Sequence, residues 1–543
     1  MVSRIFGVKS KTVGSAAILL SVASLASRLF GLVRDRLLAG TFGAGPELDA
    51  YYAAFRMPDL IYNLFVFGAI SAAFIPVFSR FSDDGEGSNR EANELVSRIL
   101  TVLAIGLTLL AVLGFVFAPF FTPLIAPGFD GPQIGLTVRL TRIMFLSPVM
   151  LGLSGVFGAV LQVRKRFLVY ALAPILYNVG IIIGILAFTG RWGVDGWAWG
   201  VVLGALMHFA VQAVACRRIG MRFRPIVDLR HSGIREIVRL TIPRIASLSV
   251  SSFQLLVITS MITALGVGSL AVYNLGLNLV YVPINMIGIS VAVAAFPFIS
   301  ELAERGRVRE MAEAVSRAVR NIMFFAVPAT VGFLLLRAQI VRVILGSRRF
   351  DWTDTVMTAD VLACLSLGLF ASALLPILVR AFFALHDSRT PLKVNVICAA
   401  FGVLFAWIAV QMGYGVVGVA ASVSLASALN LTVLWVALRI RLGDLGEVRI
   451  FRSVAIMSLG GLAMALVTQA VKMALGSAVD MRSFAGIFTQ GLTAGLAGLG
   501  AYFGMSVLLG SGEAMNVVGM VRCRLSPVPL SVSQKEESLV PEP

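Results

Sequence analysis

Apolar runs long enough to cross a bilayer recur along this chain from near its first residue almost to its last. A run of about 20 apolar residues, rising 1.5 Å each, fills the ~30 Å hydrocarbon core, where every backbone N–H and C=O must find its partner inside the segment. Such runs fold as helices and pack as a bundle. Spans read at 15–38, 58–80, 95–119, 137–161, 168–189, 194–215, 237–264, 271–300, 316–336, 358–385, 392–412, 416–438, 453–475 and 485–510 predict an all-α polytopic membrane protein with about fourteen transmembrane helices. Composition agrees, with 58% hydrophobic residues, only 13% charged and a mean hydropathy of +0.91, far from the balance of a soluble domain. The alternating pattern of a β-barrel is absent.

The formal charge of +17 would suit nucleic acid if it were clustered on a soluble surface, but it lies in alternate connections between the apolar runs. Basic stretches include "VRKRF" at 163–167, the long segment 216–239, "ERGRVRE" at 304–310, "HDSRTPLK" at 386–393 and 439–452, whereas "FTPLIAPGFDGPQ" and "ALGVGSL" are nearly free of basic residues. Positive charge stays on the cytoplasmic side of a membrane, so both termini are expected in the cytoplasm and no nucleic-acid partner is expected. One discordant outer connection carries Arg337, Arg342, Arg348 and Arg349, and it is expected to lie as a short amphipathic hairpin at the interface. The first apolar segment is longer than a signal-peptide core and carries its own arginines, so the N-terminus is expected to stay attached. Four cysteines and three histidines are scattered without metal or nucleophile spacing.

"AAFIPVFS" at 72–79 and "AAFPFIS" at 294–300 end the second and eighth spans, each before a charged loop, and hint at a duplication. The spans then divide as two six-helix lobes plus two. The expected organisation is an N-lobe at 1–222, a C-lobe at 223–445 entered through the basic linker, two further helices at 446–515 and a disordered tail at 516–543. Transporters built from such repeats place their substrate between the lobes near mid-membrane.

Within the first span, "SVASLASRLFGLVRDRLLAG" at 21–40 sets arginines into hydrocarbon. A charge at a helix centre costs at least ~2.5 kcal/mol and normally faces a watery cavity or a partner. Arg28 lies about 21 Å along the helix, too deep to reach either surface. Asp35, two turns on, shares its face and is expected to orient it; Arg36 lies nearer the outer end, where an interfacial collar is an equal reading. The second span brings Asp49, Arg56, Asp59 and Asn63 around Pro58, a proline that leaves backbone carbonyls unpaired and kinks the helix. Asp49 reads equally as a helix N-cap at the surface. Arg244 follows Pro243 in the seventh span, and the eighth carries Asn274, Asn278 and Asn285, residues that also serve helix packing. Together Arg28, Arg34, Arg56 and Arg244 would line a cavity with positive charge. Guanidinium forks match phosphate oxygens, so the expected cargo is anionic and phosphorylated.

The last two spans are rich in Gly and Ala, which suits small-residue helix packing or a lipid-facing groove for a long hydrocarbon tail. No GxxxxGK[ST] motif occurs, so no self-contained ATP-driven pump is expected. No cofactor is expected either. The membrane potential, ~2.3 kcal/mol per charge per 100 mV, is the expected driving force, with sodium or protons as alternative coupling ions.

The stretches "SRLFGLVRDRLLAGTFGAGPELDAYYAAFRMPDL" at 27–60, "GAISAAFIPVF" at 68–78, "APGF" at 126–129, "RFLVYALAPILYN" at 166–178 and "RAFFALHDSRTPLK" at 380–393 resemble the MurJ (MviN) family of lipid II flippases, within the multidrug/oligosaccharidyl-lipid/polysaccharide exporter superfamily. The resemblance implies a fourteen-helix transporter, not an enzyme, in the bacterial cytoplasmic (inner) membrane. It implies movement of undecaprenyl-pyrophosphate-linked peptidoglycan precursor from the inner to the outer leaflet by alternating access. Partners would be lipid II or a related polyprenyl-pyrophosphate glycolipid, membrane lipids and cell-wall synthesis proteins. Carried over by motif, Arg28, Arg34, Asp35, Asp49 and Arg56 are implied as substrate-binding residues, and with Asn63, Arg244, Asn274 and Asn278, read from the spans themselves, they form the expected substrate-binding set. Tyr62, Asn63 and Phe67 stand where many members carry arginines and a glutamate, and Asn278 stands in place of an eighth-helix arginine. These departures keep a second cargo open, another polyprenyl-linked polysaccharide precursor.

Overall fold

The computed structural model describes residues 13–67, 74–80, 86–228, 231–481 and 483–525, which among themselves form helices and no strand. The helices are Val13–Phe42 (α1), Pro46–Ala54 (α2), Arg56–Ile61 (α3), Ile75–Arg80 (α4), Glu86–Ile125 (α5), Gly131–Met144 (α6), Leu146–Val163 (α7), Phe167–Ile183 (α8), Thr189–Trp192 (α9) and Asp195–Arg218 (α10). They continue as Ser232–Thr263 (α11), Ser269–Pro283 (α12), Ser290–Glu304 (α13), Val308–Leu335 (α14), Arg337–Leu345 (α15), Trp352–Leu367 (α16) and Leu369–Ala384 (α17). The last are Arg389–Gln411 (α18), Gly415–Leu442 (α19), Glu447–Gly476 (α20), Phe484–Leu508 (α21) and Gly512–Leu525 (α22). Widened π-helical turns interrupt the polar spans at Tyr62–Phe67 and, directly after Pro283, at Ile284–Ile289. Such turns leave the regular hydrogen-bond ladder and are frequent at functional sites.

Ten of the described helices are long and apolar enough to cross a membrane, or eleven if the α16–α17 pair, bent by 43°, is one span. The protein is therefore a multi-pass helical membrane protein, as expected, while the described residues alone do not reach the count of fourteen. Segments expected at 15–38, 58–80 and 237–264 fall outside that set. In the first, the side chains of residues 15–18 and 21 lie outside the described ones. The second comprises α3, a π turn and α4, and residues 68–73 between the last two lie outside the described ones. Of α11, Ser249–Thr263 qualifies as a shorter apolar helix.

The chain forms two compact units, one of residues 1–282, 337–371 and 387–434, the other of 283–336, 372–386 and 435–543. In the first, glycines set helix spacing. A Cβ on Gly180 would lie 2.3 Å from the Gly204 Cα, and one on Gly184 would lie 2.2 Å from the Gly200 Cα, so α8 and α10 touch backbone to backbone, as small residues at four-residue spacing allow. That contact fixes the faces carrying Asn178 and His208. Beside it, Phe74, Phe78, Val96, Val160 and Leu161 are buried in an apolar core joining α4, α5 and α7.

In the second unit α20 and α21 pack along their small residues. A Cβ on Gly498 would collide with the Thr468 hydroxyl, and Tyr502 donates its hydroxyl to the Phe324 carbonyl at 2.8 Å. Their outer faces expose Leu462, Leu466 and Leu496, each about three-fifths accessible, which suits hydrocarbon. The chain continues through helix α22 to Leu525; of the segment expected as a tail, 526–543 lies outside the described residues.

Candidate functional site

A polar seam in the first unit begins at the start of α12. The four leading N–H groups of any helix have no partner within it. Here Asp49, 1% exposed and placed in the first turn of α2, accepts the Gly268 N–H at 2.6 Å and the Ala271 N–H at 2.7 Å. A carboxylate at the positive end of a helix dipole adds charge to the hydrogen bonds. The surface N-cap reading of Asp49 is thus corrected: the cap belongs to another helix, and Gly45 occupies the N-cap of α2.

Three residues further along α12, Asn274 accepts from Arg56 Nη2 at 2.7 Å and turns its own amide to the Leu270 carbonyl. Arg56 is 8% exposed, and its Nε has no partner among the described residues. Four residues beyond, Asn278 donates to Asp35 Oδ2 at 3.0 Å. Positions 271, 274 and 278 share one face of α12, and this face makes polar bonds to α1, α2 and α3. The Asn278 amide therefore holds the carboxylate without adding charge.

Asp35 does not orient Arg28 as expected. Its Oδ1 is taken by Arg34, through Nη2 at 2.8 Å and Nε at 3.0 Å. Arg34 also donates to Asn178 Oδ1 at 3.1 Å, and the Asn178 amide reaches the Ser27 and Pro174 carbonyls. Asn178 was not singled out from the sequence; its signal is a lone amide in the apolar stretch "APILYN", four residues after the carbonyl of Pro174. A carboxylate so enclosed is tolerable only because it is paired and hydrogen-bonded on both oxygens.

Arg28 stands apart. It is half-buried and lines a cavity of about 650 Å³ together with Ser27, Tyr62, Tyr170, His208 and Gln212. Among the described residues Arg28 has no hydrogen bond or ion pair, whereas the facing His208 Nδ1 is 2.7 Å from Ser154 Oγ. Gln212 Oε1 is buried without a partner among the described residues. The expected ring of Arg28, Arg34, Arg56 and Arg244 around one cavity is therefore not what the described side chains form: Arg28 faces the cavity, while Arg34 and Arg56 belong to the seam. Arg244 lies on α11, with its side chain outside the described residues, and Asn63 is half-buried in the first π turn with no recorded hydrogen bond.

Arg36 has a structural task. It donates to the Val343 and Ile344 carbonyls at the end of α15, at 2.6 and 3.1 Å, and Arg349 donates at 2.6 Å to the Thr41 carbonyl at the end of α1. Each arginine caps the other helix's C-terminus, where carbonyls lack partners and the dipole is negative. The connection expected as an interfacial hairpin is thus tied to α1.

Known proteins are similar to this chain in sequence and in fold. The family profile described as "Lipid II flippase MurJ" matches residues 38–489. The lipid II flippase MurJ of Burkholderia cenocepacia is 29% identical, over 78% of this chain and 84% of its own. The probable lipid II flippase MurJ of Rhizobium meliloti is 31% identical over 68% and 70%, and that of Vibrio cholerae 27% identical over 92% and 97%. Among solved structures, "Lipid II flippase MurJ, inward closed conformation" superposes with a TM-score of 0.75 at 22% identity, covering 92% of this chain and all of that one. An inward-facing multidrug transporter of the MATE family gives 0.65 at 17% identity over 79% and 99%.

Proposed function

Because the chain belongs to the lipid II flippase MurJ family, we propose that it carries undecaprenyl-pyrophosphate-linked peptidoglycan precursor from the inner to the outer leaflet of the bacterial cytoplasmic membrane by alternating access. The observation that carries this reading is Arg28, a guanidinium without an acid partner among the described residues, in a cavity of about 650 Å³. A buried charge held open in this way is costly without a ligand, and its planar fork matches the pyrophosphate oxygens. Hydroxyl and amide groups from Ser27, Tyr62, Tyr170 and Gln212 around it suit the neighbouring sugar.

The seam supplies the moving part. With both termini in the cytoplasm, as the alternation of basic loops supports, the bonds of Asp49, Arg56 and Asp35 to α12 close the outer end. Hydrogen bonds contribute only ~1 kcal/mol each, more when charged, so they hold that end shut and still release when cargo arrives. The membrane potential biases the return of a charged cavity.

Binding of lipid II to the purified protein tests the proposal. Wild type should bind lipid II, and Arg28→Ala should weaken binding at least tenfold, the loss of one charge-assisted contact. Equal affinity of the two proteins would overturn the role of Arg28. Preference for a polyprenyl carrier bearing another saccharide would move the assignment to that cargo.

A further inference from the structure

The second unit contains a cavity of about 770 Å³ where α14 and α20 begin, lined by Arg309, Glu313, Arg317, Arg320, Asp444 and Arg449. Four arginines face two carboxylates there, and the acids are already engaged or turned outward. Asp444 accepts the Gly446 N–H at 2.7 Å within its own turn, and Glu313 is exposed. Arg320 gives one nitrogen to Glu513 at 2.9 Å, yet its buried Nε has no partner among the described residues. The side chains of Arg309, Arg317 and Arg449 make no hydrogen bond or ion pair among the described residues.

The backbone adds to this charge. The N-cap residues Arg307 of α14, 28 residues long, and Gly446 of α20, 30 residues long, make no side-chain cap, and the first-turn acids Glu310 and Glu447 are paired with Arg307 and Arg439, so the positive dipole ends of two long helices lie beside the arginines. Both helices are candidate membrane spans, which sets the cavity at the level of the headgroups. Val448 and Phe451 flank Arg449 and are 84% and 78% exposed. Apolar side chains laid bare beside unpaired arginines fit an amphiphile better than a soluble ion.

We propose that this cavity binds the phosphate headgroup of an anionic membrane phospholipid, with Arg309, Arg317 and Arg449 as its phosphate ligands. The site lies in a different unit from the Arg28 cavity, so it stands independently of the transport reading. Basic pockets between membrane helices hold such headgroups elsewhere by the same charge complementarity.

Native mass spectrometry of the full chain in an uncharged detergent tests it, with phosphatidylglycerol, phosphatidylcholine and inorganic phosphate as probes. Phosphatidylglycerol should bind at least tenfold tighter than phosphatidylcholine. Its affinity should fall about fivefold for each arginine removed, so roughly twenty-five-fold in Arg317→Gln/Arg449→Gln. Arg139→Gln, an exposed arginine paired with Asp195 in the other unit, should bind as wild type and controls for charge loss alone. Unchanged phosphatidylglycerol binding in the double variant, or equal binding of the two lipids, would overturn the proposal. Binding of inorganic phosphate with no retention of phosphatidylglycerol would overturn the lipid assignment and leave a soluble-anion site.

Discussion

Arg28 and Arg34 lie six residues apart on one helix and do different things because of what faces them. Arg34 shares a carboxylate with Asn278 and leans on Asn178, whereas Arg28 looks into open space. Removing one member of a buried pair strands the other, at about 3–5 kcal/mol. Asp35→Ala should therefore lower the thermal unfolding midpoint of the detergent-purified protein markedly, and Arg34→Met in the same chain should recover part of the loss. An Asp35→Ala midpoint equal to wild type would show that the pair contributes nothing. Arg28 is legible from the sequence because depth in an apolar run is a local property. The task of Asp49 is not, since the N–H groups it caps are about 220 residues away in the chain, and neither is that of Arg36, whose carbonyl partners lie some 300 residues on.

At the scale of elements, the α8–α10 contact holds the cavity's wall in place. Gly184 has no room for a side chain, its Cβ position being 2.2 Å from the Gly200 Cα, while Gly190 has nothing within 4 Å. Gly184→Val should destabilise by more than the ~1–3 kcal/mol typical of overpacking, because backbone rather than a flexible side chain obstructs it. Gly190→Ala should be neutral. Yield and thermal midpoint of the two variants check this, and a tolerant Gly184 would mean that α8 and α10 do not touch as described. The glycine spacing is visible in the sequence; its partner helix is not, because periodicity gives a face without naming what covers it. The polar face of α12 shows the same limit. Its asparagines are visible at helical spacing, but only the fold reveals that they face carboxylate and guanidinium.

For the whole molecule, apolar run length and the alternation of basic loops give the class, a multi-pass helical bundle, because both follow from the bilayer as solvent. The count of ten or eleven spans holds for the described residues, which leave out parts of the segments expected at 15–38, 58–80 and 237–264. The first two helical segments also carry Arg28, Arg34, Asp35, Asp49 and Arg56. A flippase for a phosphorylated glycolipid needs charge where hydrocarbon would place none. Complementation of a bacterium depleted of its own MurJ decides whether this chain does that work, with lipid II exposed at the outer leaflet measured alongside growth. Wild type should restore both, and Arg28→Ala, expressed and inserted equally, should restore neither. A well-inserted wild type that leaves lipid II in the inner leaflet would contradict the assignment.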